Sequence, residues 1–137
     1  MAGEKRFEKK VEKYLESQGI YQNNTKKQDK TIKDNGWFFK VWGGGFQSGG
    51  IPDLICNING FFLSIELKDI RGQPNELQIR NTKLINQTNG IGLILYPQGF
   101  DTFKKIVEVM LACNSHIPEY LHLSEIHLNI NSGILKS

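Results

Sequence analysis

The first apolar pattern along the chain has helical spacing. It consists of four residues at positions i, i+4, i+7 and i+8, namely Phe7, Val11, Tyr14 and Leu15. This spacing predicts an amphipathic helix over residues 4–18, followed by Gly19 at the position where a left-handed cap is common. Residues 21–36 are almost wholly polar, and this polarity predicts a long loop.

Two apolar runs in the middle of the chain predict a β-hairpin. Residues 54–58 and 61–68 flank the dipeptide Asn59-Gly60. Asn-Gly between two apolar runs is the strongest local signal for a two-residue type I′ turn. An earlier β-rich run over residues 37–42 predicts another strand, and the five glycines of residues 43–50 argue against regular structure there.

Helix and strand signals alternate in the second half of the chain. Residues 74–88 predict a helix with Pro74 in its first turn, and the nearly all-apolar residues 91–96 predict a strand buried on both faces. We expect Asp101 to cap a third helix, whose apolar stripe comprises Phe103, Ile106, Val107, Met110 and Leu111. Leucine and isoleucine alternate with polar residues over 121–130, which predicts one or two short strands.

The predicted order is helix, strand, strand, strand, helix, strand, helix, with a short β-rich appendix. This order is typical of an α/β domain in which a small mixed sheet is flanked by helices. A length of 137 residues fits one domain. We expect residues 1–113 to form this domain, with an insert loop over 21–36, and residues 114–137 to be its C-terminal extension.

Composition and charge narrow the class of protein. No apolar run approaches the ~18 residues of a membrane helix, and the N-terminus lacks the apolar core of a signal peptide. Cys56 and Cys113 make no disulfide framework, so we expect reduced thiols in a cytoplasmic protein without a membrane partner. Residues 1–40 carry ten Lys or Arg against six Asp or Glu. This basic excess is compatible with a polyanionic partner and equally with a solvated lysine face.

The hairpin register brings two carboxylates together. If the Asn-Gly dipeptide forms the turn, Ile58 pairs with Phe61. Asp53 then lies opposite Glu66, and the period of two puts Lys68 on the same face. Opposed Cβ atoms are about 4.5–5.5 Å apart, so two carboxylates there repel each other unless a cation lies between them. The spacing suits one hard divalent cation such as Mg²⁺. A strand-edge salt bridge between Glu66 and Lys68 is the alternative interpretation.

These residues resemble the motifs of a nuclease superfamily. Pro52-Asp53 before the hairpin and Glu66-Leu67-Lys68 after it are similar to the two motifs of the PD-(D/E)XK nucleases. The resemblance covers residues 4–111 and implies a restriction-endonuclease-like core. It implies that Asp53 and Glu66 bind Mg²⁺ or Mn²⁺ with the Leu67 carbonyl as a backbone ligand, and that Lys68 orients the attacking water and stabilises the charged phosphorane.

Other positions narrow the resemblance within that superfamily. Glu8 resembles the first-helix glutamate of archaeal Holliday junction resolvases and VRR-NUC nucleases, which implies an outer or water-mediated role at the metal. Gln78 resembles the glutamine of the VRR-NUC group, which implies that it positions Lys68 or the scissile phosphate. Trp42 followed by three glycines looks most like the small stand-alone VRR-NUC proteins of phages. The expected setting is a bacterial or phage-infected cell.

The resemblance implies a metal-dependent DNA endonuclease that acts on branched DNA such as Holliday junctions. A sequence-specific restriction-type endonuclease and a DNA-binding module with an inactive site are the alternatives. Because resolving a four-way junction needs two opposed cuts, we expect a homodimer. The residues expected to contact DNA come from the first helix, the glycine-rich segment and the loop after the hairpin: Lys9, Lys10, Lys13, Trp42, Gly44, Gln47, Ser48 and Arg71.

Overall fold

A computed structural model describes residues 2–42, 49–113 and 133–137. These residues form a mixed α/β fold with one six-stranded sheet flanked by helices, which confirms the predicted fold class at that level. The helices are α1 (Ala2–Ser17), α2 (Glu76–Gln87) and α3 (Phe100–Ala112). The strands are β1 (Ile20–Gln22), β2 (Gly36–Lys40), β3 (Leu54–Ile58), β4 (Phe61–Leu67), β5 (Ile91–Leu95) and β6 (Ile134–Leu135).

The strands lie side by side in chain order, from β1 to β6. β2, β3 and β4 pair antiparallel, whereas β1 on one side and β5 and β6 on the other pair parallel to their neighbours. The turn between β3 and β4 has positive φ at Asn59 (52°) and Gly60 (89°), as a type I′ turn requires. Ile58 pairs with Phe61, so the predicted hairpin register is confirmed.

The hydrophobic core lies between one face of the sheet and the helices α1 and α3. Alternate strand residues are buried on that face, and α1 covers them with Phe7, Val11 and Leu15. Burying a large apolar side chain of this kind stabilises the fold by about 1.5–3 kcal/mol. α2 packs on the opposite face, where its Ile85 lies beside Gly92 of β5. Among the described residues, α2 is therefore the helix on the second face, to which Glu66 belongs.

Three local predictions are corrected by the structure. The loop predicted over 21–36 is shorter, because Ile20–Gln22 pair with the start of β2 and form β1. Pro74 lies before the N-cap of α2, since Asn75 makes the cap. Asp101 does not cap α3, whose N-cap is Gly99 at the end of a 3₁₀ turn.

The last described residues extend the sheet. Ile134–Leu135 form β6 beside β5, whereas the strands predicted within 121–130 lie outside the described residues. In the three described segments, no helix is both long and apolar enough to cross a membrane. Cys56 and Cys113 are not joined in a disulfide in the structure. Burial raises the pKa of the Cys56 thiol.

Candidate active site

The hairpin places two carboxyl groups in direct contact. Asp53 immediately precedes β3, and because Leu54 pairs with Ile65, it faces Glu66 on β4. The two side chains are within hydrogen-bonding reach of each other. The backbone N–H of Leu67 donates a hydrogen bond to Asp53 Oδ2 at 2.7 Å. The pair is therefore fixed by the strand register and by the backbone of β4.

Glu66 is the unusual member of the pair, because only 5% of its surface is exposed. Burial, followed by the hydrogen bond and the negative charge of Asp53, raises the pKa of Glu66 to about 9, although the charge of Lys68 opposes the shift. A buried carboxyl group beside a like charge favours its neutral form. The surroundings of Glu66 thus disfavour its negative charge, and a cation bound there would offset that cost.

Gln78 joins this pair to the start of α2. The side-chain Oε1 of Gln78 accepts a hydrogen bond from the backbone N–H of Asn75 at 2.9 Å. The backbone N–H of Gln78 donates to Asn75 Oδ1 at 2.9 Å, and the two bonds together form a complete capping box. The Nε2 group of the same side chain donates to Glu66 Oε1 at 2.5 Å. The resemblance implies that Gln78 positions Lys68 or the scissile phosphate. In the structure its hydrogen bond is to Glu66, and it orients that carboxyl group.

The helix carboxylates differ in their partners. Glu8 makes an ion pair with Lys40 at 2.6 Å. Glu4, one turn earlier on α1, is half-buried, and its pKa is raised first by burial and then by the negative charge of Asp53. Glu4 also contributes to the raised pKa of Glu66. Glu4, which is not among the predicted site residues, is therefore an acidic residue of α1 whose charge acts on Glu66.

Lys68 follows β4 directly and begins the loop that leads to α2. Its backbone N–H donates to Leu95 O at 3.0 Å, which extends the parallel pairing by one residue. Two side chains hold the loop from the other side: Tyr96 Oη donates to Gly72 O at 2.6 Å, and Gln98 Nε2 donates to Ile70 O at 3.2 Å. Lys68 is half-buried, and its charge acts on both Glu66 and Glu4.

The residues expected to contact DNA are spread around the site. Lys9, Lys10 and Lys13 are exposed on α1, and the Lys10 ammonium lies 4.6 Å from the ring centre of Phe100. Trp42 is 79% exposed, with Lys40 Nζ 4.7 Å from its ring centre. Arg71 is exposed in the loop after β4. The remaining predicted contacts, Gly44, Gln47 and Ser48, lie outside the described residues.

The two carboxyl groups of the pair supply part of the ligand set that a hard divalent cation requires. Two carboxyl groups supply oxygen ligands, and Mg²⁺ typically takes one or two carboxylates and keeps several waters. Among the described residues, no group of three or more His, Cys, Asp or Glu side chains is arranged to hold a metal ion. Of the residues predicted to bind a metal, the structure brings the side chains of Asp53 and Glu66 together.

Comparisons with models of protein families, with curated proteins and with solved structures give no match to this chain.

Proposed function

We propose that this protein is a metal-dependent DNA endonuclease whose active site is the Asp53–Glu66 pair with Lys68. The observation that carries the proposal is the contact between the half-buried Asp53 carboxyl group and the buried Glu66 carboxyl group at the end of the hairpin. A structural role explains it poorly, because two opposed carboxyl groups destabilise a hairpin when both are ionised, unless a cation lies between them. The motif resemblance and the restriction-endonuclease-like core that it implies support the same function.

Asp53 and Glu66 would hold Mg²⁺ or Mn²⁺, with the Leu67 carbonyl as a third oxygen donor. When bound, a divalent cation makes water more acidic and offsets negative charge on a phosphate. Lys68 would hold the attacking water and stabilise the charge that develops on the phosphate oxygens. The water oxygen bonds to phosphorus as one phosphoester bond breaks, which yields a phosphomonoester and a free hydroxyl group. Gln78 would keep Glu66 in its ligand orientation.

The expected substrate is branched DNA. Reading a base sequence requires side chains placed in a groove of the duplex, whereas shape recognition uses phosphate contacts, which exposed lysines supply. Lys9 and Lys13 on α1 and Arg71 after β4 are exposed groups of this kind. The homodimer expected from the two-fold character of a junction belongs to the same proposal.

The proposal is tested with a panel of labelled DNA substrates. Linear duplex, flap and four-way junction DNA are incubated with the protein in Mg²⁺, in Mn²⁺ and in EDTA. We expect metal-dependent cleavage that is faster on branched DNA than on linear duplex of the same sequence. Cleavage at one sequence in linear duplex would favour a restriction-type enzyme, and binding without cleavage in either metal would favour an inactive binding module.

Two glutamates of α1 make a matched test of the site's outer members. Glu4→Gln removes the charge that acts on the carboxyl pair, and we expect cleavage to slow by about 10-fold or more, as for other groups adjacent to metal ligands. Glu8→Gln breaks the ion pair with Lys40, so we expect it to lower stability by up to about 1 kcal/mol and to slow cleavage less than Glu4→Gln does. Single-turnover rates and urea unfolding of both variants measure the difference. The opposite order of rates would restore the role that the resemblance gives to Glu8.

A further inference from the structure

A row of aromatic residues lies on the same face of the sheet as the carboxyl pair. The pairing registers align Tyr21 of β1 with Trp37 of β2, Trp37 with Asn57 of β3, and Asn57 with Phe62 of β4. Residues paired in this way share a face of the sheet. Phe62 and Glu66 are four residues apart on β4, so the period of two puts the row and the carboxyl pair on one face.

The middle of this row is accessible. Trp37 is 48% exposed and Phe62 is 46% exposed, which is unusual for large rings on a central part of a sheet. Phe39 on the same face is half-buried, and its ring centre lies 5.4 Å from that of Trp37. The opposite face of the same strands is fully covered by α1 and α3, so the exposure is specific to the face that carries the carboxyl pair.

The row has a helix on one side and a basic loop on the other. On the helix side, Ile85 of α2 and the ring of Phe62 both lie against Gly90. On the other side, Tyr21 is 7% exposed and its hydroxyl donates to Asp29 O at 3.3 Å, so the loop over residues 23–35 borders the row at β1. This loop carries two aspartates and four lysines, all four of which are exposed: Lys26, Lys27, Lys30 and Lys33.

We propose that this surface, defined by Trp37, Phe39 and Phe62, binds unpaired bases of a DNA strand whose backbone reaches the Asp53–Glu66 pair. The inference rests on the proposed function and deepens it, since it assigns a single-stranded segment to the substrate. Aromatic rings stack on bases of any sequence, and a basic border follows the phosphates. Trp37 on β2 and Val41 directly after this strand are ~13 Å apart at ~3.3 Å per residue, a length spanned by about four stacked nucleotides. The backbone N–H of Val41 donates to Asp53 O at 2.8 Å, so this end of β2 lies beside the pair.

Charge favours this occupant over a second copy of the chain. The loop bordering the row has a net charge of +2 from four lysines and two aspartates, and the whole chain has a net charge of +3. This positively charged loop attracts a polyanion electrostatically, whereas it does not attract another positively charged copy of the chain. A duplex fits the rings less well, because its bases are stacked on one another and their faces are covered.

The test measures binding in EDTA, where no cleavage occurs. A fluorescein-labelled oligo(dT) and a labelled linear duplex are titrated with wild-type protein, Trp37→Ala, Trp37→Phe and Phe62→Ala. We expect each alanine variant to weaken oligo(dT) binding about tenfold or more, with duplex binding changed less than about twofold. Trp37→Phe retains a ring and is expected to recover most of the affinity. Lys30→Gln is expected to reduce the salt dependence of oligo(dT) binding. Lys105→Gln, at an exposed position of α3, is the matched control and is expected to leave that salt dependence unchanged.

Other results would overturn the inference. Wild-type protein that does not bind oligo(dT), or alanine variants that bind it as wild type does, would exclude base stacking on this surface. Light scattering that shows a dimer lost in Trp37→Ala, with oligo(dT) binding unchanged, would identify the surface as an interface between copies. The proposed function fails separately: protein that binds oligo(dT) through Trp37 but cleaves no DNA in Mg²⁺ or Mn²⁺ would retain this surface and lose the nuclease assignment.

Discussion

Asp53→Asn and Glu66→Gln will each slow metal-dependent DNA cleavage by on the order of 10³-fold or more. Each substitution replaces a charged oxygen ligand with a neutral amide of the same shape and leaves the hairpin register intact. Removing a group that only supports a metal ligand typically lowers activity 10- to 100-fold, and removing a group that stabilises developing charge lowers the rate 10²–10³-fold. Loss of a metal ligand itself is therefore expected to slow cleavage more than either.

DNA binding by these variants is expected to be retained or strengthened, because removing a carboxylate also removes its repulsion of phosphate. Single-turnover cleavage and fluorescence anisotropy on one preparation measure the two properties. Glu108→Gln, an exposed carboxylate-to-amide change on α3, is the matched control and should cleave as wild type does. Cleavage by Asp53→Asn at the wild-type rate would remove Asp53 from the mechanism.

Lys68→Ala completes this set of variants. We expect turnover to fall by about 10²-fold, because the side chain is assigned to the water and to developing charge. The affinity for Mg²⁺ is expected to change little, since Lys68 is not a ligand. A Lys68→Ala variant that regains full activity at high Mg²⁺ concentration would show that Lys68 only assists metal binding.

The second large effect is a fall in the stability of the metal-free protein as the pH rises. The folded-state pKa of Glu66, about 9, lies above its ordinary value of 4.5. Between these values the folded protein binds more protons than the unfolded chain, so the stabilisation is complete below pH 4.5 and is lost as the pH rises through 9. One such group gives a slope of up to about 1.4 kcal/mol per pH unit.

Urea unfolding in EDTA from pH 5 to 9, a range chosen from the ordinary and raised pKa values of Glu66, measures this slope. Glu66→Gln carries no titrating group at that position, so its stability should depend less on pH and should exceed that of wild type at the alkaline end. Glu4 and Glu12 also have raised pKa values, but they are present in both proteins and cancel in the difference. Mg²⁺ should restore the stability of wild type at the alkaline end and leave Glu66→Gln unchanged. Parallel profiles in EDTA would contradict the raised pKa of Glu66.

The facing carboxyl groups were predictable because one turn determines their register. Asn59 and Gly60 adopt the positive φ values that their residue types favour, and the pairing of Ile58 with Phe61 then fixes every pair along the hairpin. Local sequence thus contains all the information needed to put Asp53 opposite Glu66. The apolar stripes of α1 and α3 were predictable for a similar reason, since a helix shows its buried face in its own spacing.

Other features depend on contacts between distant parts of the chain. β1 has three residues and exists because it pairs in parallel with β2, whose first residue is Gly36. Glu4 and Glu8 lie on the same side of α1. The position of Lys40 on β2 determines that Glu8 forms an ion pair with it. The contact of Gln78 with Glu66 likewise requires the packing of α2 against β4.

Isothermal titration of Mn²⁺ into metal-free protein near neutral pH tests the central claim most directly. The proposed site predicts a saturable binding event in wild type that is abolished or strongly weakened in both Asp53→Asn and Glu66→Gln and is retained in Glu108→Gln. It also predicts release of a proton on binding, seen as a dependence of the measured heat on the buffer's ionisation enthalpy. Mn²⁺ binding of equal strength in wild type and in both site variants would contradict a cation site at Asp53 and Glu66.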